Sequence, residues 1–275
     1  MNSPQLHVAA VQFEAGQSKT DNIAAVDRLV SDACAAGARM VVLPEKWTGF
    51  GSPEIIRDTA ETLSGGEAVT AMRDWARKYR VHLVGGSITE RHDDGTLTNT
   101  CAVHSDTGEL VAVYRKIHLF DVDLGTESYR ESDQERPGDE IVTVDVDGWR
   151  VGLSICFDLR YPELYRILAL RGSDILVVPA AFTLLTGRDH WEPLLRARAI
   201  ENQAYVIAAN DFGLHPGGKR TYGRSMIVDP WGTVVTQAAD GSGVISSILR
   251  RSRIDEVRRA VPSLANRRPA AYQWP

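Results

Sequence analysis

Two short apolar runs, 6–13 and 40–43, flank a segment, 22–36, in which Ile23, Val26, Leu29, Val30 and Ala33 recur at helical spacing. Gly37 ends that helix and Pro44 stops the second run. Strand, helix and strand in that order make a crossover between parallel strands, and apolar runs of this length suit buried ones. A chain that opens this way is committed to covering a parallel sheet with helices.

The remainder is strand-rich. Helices are expected at 67–78, 162–170, 191–202 and 254–261, and strands at 81–88, 99–104, 110–114, on both sides of Asp147-Gly148, and at 175–178, 205–209, 225–229, 233–236 and 243–248. Between them, 120–139 is polar, lacks either period, and closes on Pro137-Gly138; long ordered loops of this kind are often functional. No linker, repeat or low-complexity stretch interrupts the pattern, so 1–275 is expected to be a single domain. Strands outnumber those of a simple doubly wound sheet, which points to an α/β fold with two layers of sheet between helices.

Composition narrows the function. Lys and Arg total 31 against 36 Asp and Glu, a net charge of −5, whereas a nucleic-acid binder should carry a basic excess. The longest apolar run, 175–182, is too short to cross a bilayer, and the opening residues lack the basic and apolar stretches of a secretory leader. Cys34, Cys101 and Cys156 are odd in number with no close pair, which favours a reducing compartment and a cytoplasmic location. The seven histidines are scattered and no Cys-x-x-Cys occurs, so no metal or cofactor is expected.

Three residues sit where chemistry is possible. Cys156 follows the apolar strand ending at Ile155 and precedes a helix opened by Pro162; a thiol there lies at the carboxyl end of a strand, where free N–H groups stabilise a thiolate or an oxyanion. Glu45 directly follows another apolar strand, and partial burial there would raise its pKa toward that of a general base. Lys116 follows the run 110–114 and precedes Ile117, and a desolvated ammonium needs an anionic partner. The plain alternatives are a buried structural cysteine, a solvated loop glutamate and a snorkelling lysine. Three strands ending in a nucleophile, a base and a cation favour convergence in one crevice. Cys34, on the apolar side of a helix, and Cys101, within a strand, read as structural.

Leu43-Pro44-Glu45, the segment from Tyr114 to Asp121, and the segment from Gly152 to Glu163 closely resemble the three signature segments of the nitrilase, or carbon–nitrogen hydrolase, superfamily. The resemblance extends over essentially the whole chain, through Pro179-Ala180-Ala181-Phe182, His190-Trp191, the run from Arg196 to Asn202, the run from Ser225 to Gly232, and Arg267-Arg268-Pro269. It implies a four-layer α-β-β-α sandwich that forms a homodimer or higher homo-oligomer, a Glu45-Lys116-Cys156 triad, and a second functional glutamate in the long loop, assigned to Glu131 rather than Glu127. The implied reaction is hydrolysis of a small amide through a cysteine thioester, with the oxyanion met by Lys116 and the Phe157 N–H.

The residues around these motifs look like the branch containing ω-amidases and deaminated glutathione amidases, which act on small amides bearing a second carboxylate. That resemblance implies Arg160 as the partner of the carboxylate and Phe182 and Thr186 as pocket residues; the alternative for Arg160 is an ion pair with Glu163 or Asp158. One segment departs from the branch. Where an aromatic-Asn pattern commonly follows the catalytic glutamate, this chain has Lys46-Trp47-Thr48-Gly49-Phe50-Gly51, a segment expected to line the pocket mouth, where Trp47 would narrow it. N-carbamoyl amino-acid amidohydrolase, aliphatic amidase and nitrilase activities remain alternatives, as does an idle binding or thiol-sensing member of the fold.

Overall fold

The computed structural model describes residues 4–125 and 128–272. Its first sheet has the strand order Gly243–Arg250, Gln5–Gln12, Met40–Val42, His82–Val84, Leu97–His104, Ile88–Arg91, with Leu110–Arg115 also paired to Leu97–His104. The second has the order Val234–Gln237, Met226–Val228, Tyr205–Asn210, Ile175–Ala180, Trp149–Leu153, Thr143–Val146. Each sheet has a parallel centre: Gln5–Gln12, Met40–Val42 and His82–Val84 in the first, Trp149–Leu153, Ile175–Ala180 and Tyr205–Asn210 in the second.

The period of two in side-chain direction builds the layers. Val8 and Ala10 enter the core shared with Val177 and Ile207 of the second sheet, whereas Ala9 and Val11 pack with Val26, Val30, Met72 and Trp75 of the helices Lys19–Ala35 and Glu67–Tyr79. On the outer face of the second sheet lie Pro162–Leu170 and Leu184–Asn202, which bury Leu164, Leu168, Trp191 and Leu195. The expected helix-sheet-sheet-helix order is present. Each fully buried aliphatic side chain contributes about 1.5–3 kcal/mol, so the two cores hold the sheets face to face.

Departures from the sequence reading have local causes. The run 81–88 is two strands, because Gly86 turns the chain at φ +62° and a Cβ there would stand 2.0 Å from the Pro44 carbonyl oxygen. That close approach packs the break against the residues leading into Glu45. The helix placed at 191–202 begins at Leu184, with the Thr183 hydroxyl accepting from the Thr186 N–H; Gly187 and Pro193 inside it obscure the helical signal. A Cβ on Gly187 would stand 2.4 Å from Tyr222, so the glycine admits the hairpin of Phe212–Leu214 and Arg220–Tyr222. The short helix Pro53–Thr59 and that hairpin carry no sequence signal long enough to read. Within the loop 120–139 lie the paired strands Asp121–Asp123 and Ser128–Arg130 and a 3-10 turn, Glu131–Asp133. Among the described residues no helix is long and apolar enough to cross a membrane. Of the arginines near 250, Arg251 and Arg258 pair with Asp174, and Arg253 with Asp229 and Glu256.

Candidate active site

The site forms where strand ends of the two sheets meet. Glu45 comes three residues after Met40–Val42, Lys116 follows Leu110–Arg115 directly, Cys156 comes three residues after Trp149–Leu153, and Ala181 follows Ile175–Ala180. The Glu45 N–H reaches the Ala180 carbonyl at 3.4 Å, which ties one sheet to the other at this point. Lys116 Nζ stands 2.9 Å from Glu45 Oε1 and 2.9 Å from Glu131 Oε2. The other Glu45 oxygen accepts the Ala181 N–H at 2.8 Å. Glu131 Oε2 also accepts the Phe120 N–H at 2.6 Å, which fixes the long loop over the site. Of the two loop glutamates weighed from sequence, Glu131 is the one brought to Lys116, while Glu127 lies outside the described residues.

Burial and charge set the protonation states. Burial pulls the Lys116 ammonium down, but Glu131 and Glu45 outweigh it, so its pKa stands well above the ordinary value. Burial likewise works against the Glu131 carboxylate and is overcome by Lys116 and Lys46, which hold it well below the usual carboxylate range. The Cys156 thiol is pushed well up, first by burial, then by the charge of Glu45 and a hydrogen bond to it. The direction favours a neutral resting thiol, so the nucleophile needs a base, the role the sequence reading gave to Glu45. Burial alone pushes the Cys34 thiol to about 11, and burial raises Cys101 to about 12.

Cys156 has φ +47°, a left-handed backbone that a non-glycine residue adopts at a cost on the order of 1 kcal/mol. Asp158, fully buried, maintains the bend: its carboxylate accepts from the Tyr114 hydroxyl at 2.6 Å, the Ile155 N–H at 2.8 Å, and both the N–H and Nδ1 of His118 at 3.1 and 2.7 Å. Phe157 lies in the first turn of the 3-10 helix Cys156–Arg160, where leading N–H groups lack an intrahelical acceptor.

Cys156 borders two spaces. A cleft of about 100 Å³ is walled by Glu45, Lys46, Lys116, Glu131, Phe120 and Tyr129, with Arg130 and Lys219 among its further lining residues. On the other side a narrow niche of about 10 Å³ is lined by Phe157, Arg160, Phe182 and Thr186, which gathers the sequence-derived binding residues beside the thiol. Arg160 pairs with neither Glu163 nor Asp158. Its guanidinium lies 5.1 Å from the Phe182 ring centroid and 3.2 Å from His190 Nδ1, and among the described residues no carboxylate is within salt-bridge distance.

Trp47 is the exception among these residues. It is completely buried beneath the first sheet, 5.8 Å from the Trp75 ring, with its indole N–H donating to the Gly85 carbonyl at 2.9 Å. It belongs to the core and does not reach the pocket mouth, because Lys46 takes φ +50° and turns its neighbour away. The segment does line the cleft, through Lys46, Phe50 and Gly51, with Lys46 2.8 Å from Glu135 and 3.4 Å from Glu131.

Sequence reasoning also missed Asn99, Glu135 and the anchoring role of Asp158. Asn99, fully buried in Leu97–His104, donates through Nδ2 to Glu45 Oε1 at 2.8 Å and Glu131 Oε1 at 2.9 Å, so one amide joins the two carboxylates. An amide inside an otherwise strand-like run was the available signal. Glu135 is buried four residues after Glu131 and is pushed to about 7 by burial, although Lys46 opposes the rise.

With this geometry in place, comparison with known proteins is direct. The carbon-nitrogen hydrolase family matches residues 7–259. Omega-amidase NIT2 of Mus musculus is 38% identical over 266 residues, covering 96% of each chain. The deaminated glutathione amidase of Yersinia enterocolitica is 36% identical over 266 residues, 95% of this chain and 93% of its own. Among solved structures, the Caenorhabditis elegans NitFhit protein superposes with a TM-score of 0.90 at 33% identity, over 99% of this chain and 67% of its own.

Proposed function

The chain belongs to the carbon–nitrogen hydrolase family, a hydrolase of non-peptide C–N bonds, and from that premise we propose that it is a thiol amidase for a small amide carrying a remote carboxylate. The observation that carries this reading is the Glu45 carboxylate, 2.9 Å from the Lys116 ammonium and lining, together with Cys156, the wall of one small cleft. Glu45 takes the thiol proton as the sulfur attacks the amide carbon, and the tetrahedral oxyanion is met by the Lys116 ammonium and the Phe157 N–H. Glu45 then gives that proton to the departing nitrogen, and the C–N bond breaks to leave a thioester. In the second half Glu45 accepts a proton from water, hydroxide adds to the thioester, and collapse of the second oxyanion expels the sulfur, which recovers the proton. Glu131 holds Lys116 in place throughout.

The substrate class rests on Arg160. A half-buried guanidinium beside two aromatic rings and the thiol, with no carboxylate paired to it among the described residues, suits a substrate carboxylate. Relatives named omega-amidase and deaminated glutathione amidase support the same class. We read 1–275 as one domain acting in the cytoplasm as a homodimer or higher homo-oligomer; Ile200, Trp231 and Val261, each about half exposed around one groove, give apolar surface for a second copy. Sedimentation is expected to give at least two chains per particle, and a monomer throughout the micromolar range would reject that assembly.

The test of function is ammonia or amine release from α-ketoglutaramate, deaminated glutathione, an N-carbamoyl amino acid and a simple nitrile, with Cys156→Ala as the blank. Turnover of one of the first two is expected, with Arg160→Ala lowering kcat/KM by about 10- to 100-fold, the worth of a charged hydrogen bond. Turnover of the carbamoyl compound or nitrile alone would retain the thiol chemistry and reject the substrate class.

A further inference from the structure

The buried charges of the site form an unbroken series that continues past the residues assigned above. From Glu45 it runs through Lys116 and Glu131 to Lys46 and ends at Glu135. Glu131 and Glu135 are one helical turn apart, with the Glu135 N–H donating to the Glu131 carbonyl at 3.0 Å, so both carboxylates face the same side. Lys46 stands between them and is only 5% exposed. Its backbone is held by a hydrogen bond from its N–H to the Ser87 hydroxyl at 3.1 Å, and Glu135 is held in turn by the Thr89 hydroxyl at 3.3 Å.

On the reading above, we infer that Lys46 is a positioning residue: its ammonium shares Glu131 with Lys116, and Glu135 keeps it there. The physical argument concerns the division of one carboxylate between two cations. Glu131 Oε1 lies 3.2 Å from Lys116 Nζ and 3.4 Å from Lys46 Nζ. With Lys46 present, the pull of Glu131 on Lys116 is balanced, and Lys116 remains between Glu131 and the carbon attacked by Cys156. Without it, Glu131 draws Lys116 toward itself and away from the oxyanion. Buried ammonium groups are costly unless paired, and Glu135 supplies the second partner that lets Lys46 sit in the cleft wall. The segment that follows Glu45 thus affects the reaction through Lys46.

The experiment compares wild type, Lys46→Met/Glu135→Leu, Lys46→Arg and the Cys156→Ala blank by melting temperature, kcat and KM. The double substitution leaves no buried charge unpaired, so its melting temperature is expected to match or exceed that of wild type. Its kcat is expected to fall about 10-fold while KM moves less than about 2-fold, the signature of a misplaced group acting in the transition state. Lys46→Arg keeps the charge and is expected to recover most of kcat. A double variant with wild-type kcat and KM overturns the inference and leaves the amidase reading intact, as does an Arg variant no better than the double variant. Should the double variant not fold, Lys46→Gln/Glu135→Gln, uncharged and still hydrogen-bonding, makes the same comparison. Wild-type turnover no greater than the blank removes the reaction and this role with it, so the two failures are distinct.

Discussion

Glu45→Gln is expected to lower kcat by about 10³-fold and leave the thiol no harder to alkylate. The opposite directions follow from the two effects of one carboxylate. As a base it is the acceptor for the thiol proton, and loss of a positioned base costs about 10²- to 10⁴-fold. As a charge it pushes the Cys156 thiol up, alongside burial, while Lys116 pulls it down. An amide of the same shape removes the base and the negative charge together, so the thiol becomes easier to ionise while the proton transfers that turnover requires have no acceptor. The carbonyl of the introduced amide still receives the Asn99 and Lys116 hydrogen bonds made by Glu45 Oε1, while its nitrogen no longer accepts the Ala181 N–H, so the variant is expected to fold with a loss of about 1–3 kcal/mol. Iodoacetamide labelling of Cys156 at neutral pH, followed beside kcat, separates the effects. Labelling that falls together with turnover would mean that Glu45 acts on the thiol chiefly as its base and that its charge adds little to the raised thiol pKa.

The parts of the site legible in the sequence were those carried by local order. Glu45 and Cys156 each follow a run that is apolar because it is buried in a sheet, whereas the run before Lys116 is a half-exposed edge strand; in all three cases the residue after the run lies at the strand's end. The two-sheet architecture followed from counting strands, and alternation along Gln5–Gln12 distributes its side chains between the two cores. What the sequence hid depends on contacts between distant segments. Asn99 and Asp158 resemble ordinary polar residues until folding places two carboxylates, or a hydroxyl, an amide N–H and an imidazole, around them. Trp47 and Lys46 were exchanged for a different reason. Alternation predicts which neighbour faces the pocket only in regular backbone, and the left-handed Lys46 reverses it. Gly86, in contact with the Pro44 carbonyl, likewise splits a run that looks continuous when read alone.

Lys116→Met is expected to cost about 3–5 kcal/mol of stability at pH 7 and about 10³-fold in kcat/KM. The catalytic loss is that of one oxyanion donor, increased because Glu131 and Glu45 lose the cation that holds their oxygens in place. The stability loss has a defined pH dependence. Lys116, held well above its ordinary pKa, contributes fully below the unfolded lysine value of about 10.4, so its contribution is complete at pH 7. Glu131, held well below the carboxylate range, describes the same attraction from the other partner: its contribution is present above the unfolded value of about 4.3 and is lost as pH falls toward the depressed folded value. The difference in melting temperature between wild type and Lys116→Met should therefore be largest near neutral pH and shrink as the buffer is taken below about 4.3, where protonation relieves the stranded carboxylates. A methionine of similar length fills the volume of the lysine stem, so a gap that stays constant from pH 7 down to about pH 3, below the unfolded carboxylate value, would assign the cost to packing and not to the buried charges.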